Sequence, residues 1–159
     1  MEKDKKGVTF QKILDKALRF LSIRPRSRKE ILIYLGKKIR QNQLIIDKVL
    51  SELENLGLVD DYDFACWWVE QRITFRPKGK KALIFELRQK GIDPEIIEKV
   101  INQKVDEVAL AKIVAEKKLR ILKNLSPTEL RSKLEGFLAR RGFRWETIKK
   151  VLDQVELGT

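Results

Sequence analysis

A five-residue string recurs in this chain at a fixed interval. Ile46-Asp47-Lys48-Val49-Leu50 is followed by Ile97-Glu98-Lys99-Val100-Ile101 and then by Ile148-Lys149-Lys150-Val151-Leu152, each copy starting 51 residues after the one before. Upstream of it, Leu83, Leu87 and Gly91 stand in the same register with Leu134, Leu138 and Gly142. Ile31 and Leu35 join that register if the first copy carries one extra residue in its turn. Two neighbouring segments that repeat together mark a stack of equivalent units, each too small to bury a core alone.

The pattern inside each copy is helical. Phe10, Ile13, Leu14, Ala17, Leu18 and Leu21 recur at i, i+3, i+4, i+7, i+8 and i+11, which places them on one helix face. Pro25 ends that helix, and Ser27 with Glu30 forms a capping-box pattern that starts a second. A third helix over about 43–56 turns Ile46, Val49, Leu50 and Leu53 inward, with Gly57 as its C-terminal cap. Helices are expected again over about 61–74, 79–90, 106–124 and 145–156. Asp93-Pro94 starts one between the second and third of these, and Ser126-Pro127-Thr128-Glu129 starts another before the last. Alternation at period two is absent. The expected fold is all-α: three tandem three-helix units over 9–59, 60–104 and 105–159, in an extended or curved array, behind a flexible tail at 1–8.

Charge limits the partners. The chain has 35 Lys and Arg against 23 Asp and Glu, a net +12. Such an excess favours polyanions, because basic side chains release counterions from phosphate. Basic residues concentrate in 19–40, 76–90 and 117–150, and acids in 47–63. The charged start of the chain carries no apolar run, no stretch nears the length of a membrane span, and the single cysteine, Cys66, allows no internal disulfide. A cytoplasmic protein is the expectation. Histidine is absent, which removes the usual triads and zinc sets, and no glycine-rich phosphate loop occurs. No catalytic residue, metal site or cofactor is expected.

Two strings resemble the RecX family. Gly57-Leu58-Val59-Asp60-Asp61-Tyr62-Asp63-Phe64-Ala65 is similar to a family motif at the junction of units one and two. The stretch from Arg76 to Ile92, with Gly79, Leu83, Glu86, Leu87, Lys90 and Gly91, resembles a second motif. Leu138-Ala139-Arg140-Arg141-Gly142-Phe143 is similar to the family's C-terminal string. In the first unit, Lys37-Lys38-Ile39-Arg40 replaces the turn that the pattern would place there. The resemblance implies a non-enzymatic regulator that lies on a RecA-like recombinase filament on DNA. It implies limits on strand exchange, ATP hydrolysis and repressor co-cleavage, and hence a part in DNA recombination, DNA repair and the SOS response. Its partners would be that filament with single-stranded DNA, duplex DNA being a further option, and the chain itself would be a monomer.

The basic segments supply the candidate contacts to protein or DNA: Arg26, Arg28, Lys37, Lys38, Arg76, Lys78, Lys80, Lys81, Arg88, Lys90, Arg131, Arg140, Arg141 and Arg144. Any one of them can be a merely hydrated surface charge. Lys80, Lys81, Arg88 and Lys90 are expected on the outer face of their helix, and Glu86 is expected to pair along it with Gln89 or Lys90. Phe64, Trp68 and Phe137 lie on apolar stripes as core. Trp67 and Trp145 are expected to pack, and Asp60 and Asp61 to cap the helix carrying Phe64. A rival reading takes residues 27–57 as the helix-turn-helix of a DNA-binding transcription regulator. No β-hairpin wing follows it, and it leaves the 51-residue period unexplained.

Overall fold

The computed structural model describes residues 9–38 and 42–155. The tail at 1–8, Ile39 and Arg40 of the first turn, and the end of the chain beyond Val155 lie outside the described residues. Among the described residues there are nine α-helices and no strand: α1 Phe10–Ile23, α2 Arg28–Lys38, α3 Gln43–Asn55, α4 Asp61–Phe75, α5 Lys80–Gln89, α6 Pro94–Lys104, α7 Glu107–Ile121, α8 Pro127–Arg140 and α9 Trp145–Gln154. They form three consecutive triplets. α1, α2 and α3 pack on one another, α5 packs on α6, and α7, α8 and α9 pack together. The described residues divide into two compact bodies, one within 9–64 with 90–92, the other of 65–89 with 93–155.

The repeat registers as burial. Val49, Val100 and Val151 are completely buried, as are Leu83, Leu87, Leu134 and Leu138 and their first-copy counterparts Ile31 and Leu35. Along α1 the buried stripe is narrower than the sequence pattern. Ile13 and Ala17 are buried and Leu14 and Leu21 pack at the edge of the core, whereas Phe10 and Leu18 are exposed. Two partner helices cover only part of a six-position stripe, so its margins remain in solvent.

Helix ends follow the expected chemistry with two changes. Asp93 accepts the Glu95 N–H ahead of Pro94, and Ser126 with Glu129 completes a reciprocal capping box. At α2 only half of the box forms. The Ser27 hydroxyl accepts the Glu30 N–H and donates to the Lys90 carbonyl, while the Glu30 carboxylate turns to cations. The helix expected over 106–124 ends at Ile121, and Asn124 takes a positive φ of 61° in the turn that follows.

One fastening device occurs twice. At the start of α4, Asp60 accepts the Asp63 N–H and so caps its own helix, while Asp61 reaches back to accept the Arg28 N–H at 2.8 Å. At the start of α7, Asp106 caps its own helix through the Ala109 N–H, while Glu107 accepts the Lys80 N–H at 2.5 Å. In each acidic pair the first residue caps the new helix, and the second caps the middle helix of the preceding triplet. Asp61 therefore does not cap α4 as the sequence suggested. Burial pushes its carboxyl above the ordinary range, against the lowering by the Arg28 N–H. Asp61→Ala should cost about 1 kcal/mol in urea denaturation and Asp61→Asn only a fraction of that, since asparagine still offers a capping oxygen.

The turn after the middle helix completes the joint. Gly79 donates its N–H to the Arg141 carbonyl at 2.8 Å, and Lys81 donates to the Gly142 carbonyl at 3.1 Å. In the earlier joint Ser27 stands in the place of Gly79 and meets Lys90, the counterpart of Arg141.

Candidate functional site

The candidate cations divide by what holds them. Several are structural. Arg26 lies 3.8 Å over the Phe20 ring, donates to the Phe20 carbonyl and pairs with Glu30 at 3.6 Å. Arg28 pairs with Glu54 and Arg131 with Asp153, each at 2.9 Å. Lys78 is bound to Glu86, and Lys90 sits 3.6 Å from Glu30. Arg141 stacks on Phe137 and donates to the Pro77 carbonyl. Lys90, expected on the outer face of α5, lies just beyond its end and is half-buried, because it meets Ser27 and Glu30. Lys80 is also half-buried.

The others face solvent. Lys37, Lys38, Arg76, Lys81, Arg88, Arg140 and Arg144 are exposed, and no salt bridge holds them among the described residues. Three of the candidates converge in the second body. A cleft of about 290 Å³ is lined by Lys80, Arg144 and Lys150 together with Asp106, Glu107 and Glu146. A neighbouring cleft of about 330 Å³ is lined by Arg88 and Arg144 with Ile84, Ile97, Ile101 and Glu98. Arg144 lines both, so Lys80, Arg88, Arg144 and Lys150 edge one hollowed region of two neighbouring clefts, among the acids Glu98, Asp106, Glu107 and Glu146. Lys150 was legible only as one charge within a basic segment.

Glu107 holds this region in shape. It is buried, and its carboxylate accepts the Lys80 N–H, the Arg144 N–H at 3.2 Å and the Thr147 hydroxyl at 2.5 Å. α5 and α9 start after Gly79 and at Arg144, which offer no capping oxygen of their own. Glu107 supplies one to both, and its negative charge sits at two positive helix ends. Nothing in the string around Glu107 marks this role. The available signal was the missing cap: two helix starts without Ser, Thr, Asp or Asn require an acceptor from elsewhere.

Glu86 plays a comparable part nearer α4. It receives Trp68 Nε1 and Arg72 Nε, each at 2.9 Å, and Lys78. The pairing along α5 with Gln89 or Lys90 is not what this carboxylate makes, since α4 brings stronger donors to it. Burial alone would raise the Glu86 carboxyl, but hydrogen bonds from Lys78, Trp68 and Arg72 together hold it below its ordinary range. A carboxyl depressed in the folded state stabilises the fold above the unfolded-state value, and loses that contribution as pH falls through the lower, folded value. Glu86→Gln should therefore cost about 1–3 kcal/mol at neutral pH. It should also flatten the acid limb of the stability curve, as followed by urea denaturation across pH.

The aromatics depart from expectation in part. Phe64 is core, but Trp68 and Phe137 are only partly buried; Arg72 lies over the Trp68 ring, and Lys118 and Arg141 over Phe137. Trp145 is 60% exposed at the start of α9 rather than packed.

Among the described residues no group of carboxylates, histidines or cysteines could hold a metal ion, and no helix is long and apolar enough to cross a membrane.

Comparison with known proteins gives one consistent result. Models of the first, second and third three-helix domains of RecX match residues 14–53, 60–101 and 105–152. The regulatory protein RecX of Chlorobium phaeobacteroides (strain BS1) is 40% identical over 145 residues, covering 91% of this chain and 94% of that protein. The regulatory protein RecX of Bacillus subtilis (strain 168) is 34% identical over 152 residues, which is 94% of this chain and 57% of that longer protein. The crystal structure of RecX from Lactobacillus salivarius superposes with a TM-score of 0.80 at 26% identity, covering 92% of this chain and 97% of that one.

Proposed function

This chain belongs to the RecX family, and on that premise we propose that it binds a RecA-like recombinase filament on DNA and restrains it. The restraint extends to strand exchange, ATP hydrolysis and co-protease activity. The protein acts as a cytoplasmic monomer without chemistry of its own. The observation that carries the reading is the hollow edged by Lys80, Arg88, Arg144 and Lys150. Arg88, Arg144 and Lys150 are exposed there. Cations without internal partners gain most from phosphates or acidic side chains, because no existing pair must be broken first. A ligand that prefers one filament state shifts assembly toward that state.

The transcription-regulator reading fares worse. Its reading helix would be α3, which carries Asp47, Glu52 and Glu54. A phosphate backbone repels such a helix, and Arg28 at the start of α2 is already paired to Glu54.

Fluorescence anisotropy tests the reading. Labelled protein is titrated with recombinase assembled on single-stranded DNA, and separately with mixed-sequence duplexes, over a range of salt. Saturable filament binding that weakens with salt is expected, with little preference among duplex sequences. Discrimination between duplexes by orders of magnitude would favour direct base reading instead.

A further inference from the structure

A groove bounded by the end of α4, by α7 and by α8 differs in kind from the hollow around Arg144, where acids and cations alternate. It measures about 320 Å³, and its lining includes Phe75, Ile121 and Phe137 along with Lys117, Lys118 and Arg141. Phe75 and Ile121 are 73% and 72% exposed, so two large apolar side chains face water on the same feature. Lys118 and Arg141 lie 4.8 Å and 4.9 Å from the Phe137 ring centre. No carboxylate lines the groove, and none of its three cations forms an ion pair among the described residues.

The repeat shows one place where the two triplets differ in charge. Position 137 is the counterpart of position 86, one 51-residue period earlier. In the second triplet this position is Glu86, which neutralises Arg72 and Lys78. In the third it is Phe137, and the cations around it lack the internal acid. The site therefore joins an apolar floor to a positive rim with the negative partner missing.

We propose that this groove binds an acidic peptide segment of a partner protein, with a bulky apolar side chain against Phe75 and Ile121 and carboxylates on Lys117, Lys118 and Arg141. Burying exposed apolar surface supplies affinity, and the charge-assisted contacts supply selectivity for acid. Nucleic acid is the rival occupant: Phe75 offers a base a π-face, but Ile121 beside it does not, and Lys118 and Arg141 already lie on the Phe137 ring. The proposal does not rest on the recombinase reading.

The test is a chemical-shift titration of the ¹⁵N-labelled full chain with three probes. One is a synthetic peptide with leucine and phenylalanine at helical spacing among glutamates. The second is the same peptide with glutamines for the glutamates, and the third is oligo-dT. Saturable shifts confined to the groove are expected with the acidic peptide. Affinity should fall by about tenfold or more with the glutamine peptide, and by a similar factor in Phe75→Ser/Ile121→Ser. Both changes are on the surface, so circular dichroism should be unaltered. No saturable shift overturns the proposal. So do shifts gathered at Arg88 and Arg144 instead, or displacement of the peptide from the groove by oligo-dT. Filament binding measured on the same samples reports separately on the recombinase reading.

Discussion

Gly142→Ala is expected to destabilise the body that contains α5, α8 and α9 by about 3 kcal/mol or more. Two costs add. Gly142 has a φ of +83°, where an L side chain is strained, and an added Cβ would lie 2.3 Å from Ala82 Cβ and 2.7 Å from the Ala82 nitrogen. The obstacle is another helix's backbone rather than the end of a flexible chain, so relief requires α5 to move. That movement would break the Gly79 and Lys81 hydrogen bonds to the same turn. Gly57→Ala is the control. Its φ is +71°, but no atom lies within 4 Å of the added Cβ. Only the conformational cost remains there, about 1–2 kcal/mol. Urea denaturation of both variants should separate close approach from φ alone. Equal losses at the two positions would mean that the joint at Gly142 can open without penalty.

The second large effect is expected at Glu107. Glu107→Ala should cost about 3 kcal/mol, since it removes the acceptor of two part-buried N–H groups, at Lys80 and Arg144, and of the buried Thr147 hydroxyl. Glu107→Gln should fall between alanine and wild type. Its oxygen can replace one carboxylate oxygen, but its NH2 meets a donor where an acceptor is needed. Amide hydrogen exchange gives the local readout. Lys80 and Arg144 should lose protection in both variants, ahead of amides in α1 and α3. Unchanged protection at those two amides would show that water serves as well as the carboxylate.

These two sites also mark where the sequence stopped being legible. The helices, their order and the buried valines followed from periodicity, because a 3.6-residue period and a 51-residue repeat are local signals. Starts at Asp93 and Ser126 were readable since the capping oxygen lies in the same short string as the helix. Glu107 was not readable, because its acceptor role joins residues 27 and 37 positions away. Glu86 departs from its expected pairing for a similar reason. Its neighbours along α5 are visible in the string, while Trp68 and Arg72 arrive only when α4 packs alongside. Among the candidate cations, charge density marks the basic segments but cannot sort a paired Arg28 or a stacked Arg141 from an open Arg88. That distinction depends on which carboxylate or ring the fold brings within reach.

The most direct measurement of the central claim is ATP turnover by a RecA-like recombinase on single-stranded DNA, with the chain added in increasing amounts. The wild type should suppress turnover, and suppression should weaken as salt rises. The triple variant Arg88→Glu/Arg144→Glu/Lys150→Glu changes three exposed side chains around the hollow. It should keep its helical circular dichroism and need about tenfold or more protein for the same suppression, since each reversal replaces an attraction by a repulsion. Suppression by this variant at wild-type concentrations, or no effect of the wild type on turnover, would contradict the account.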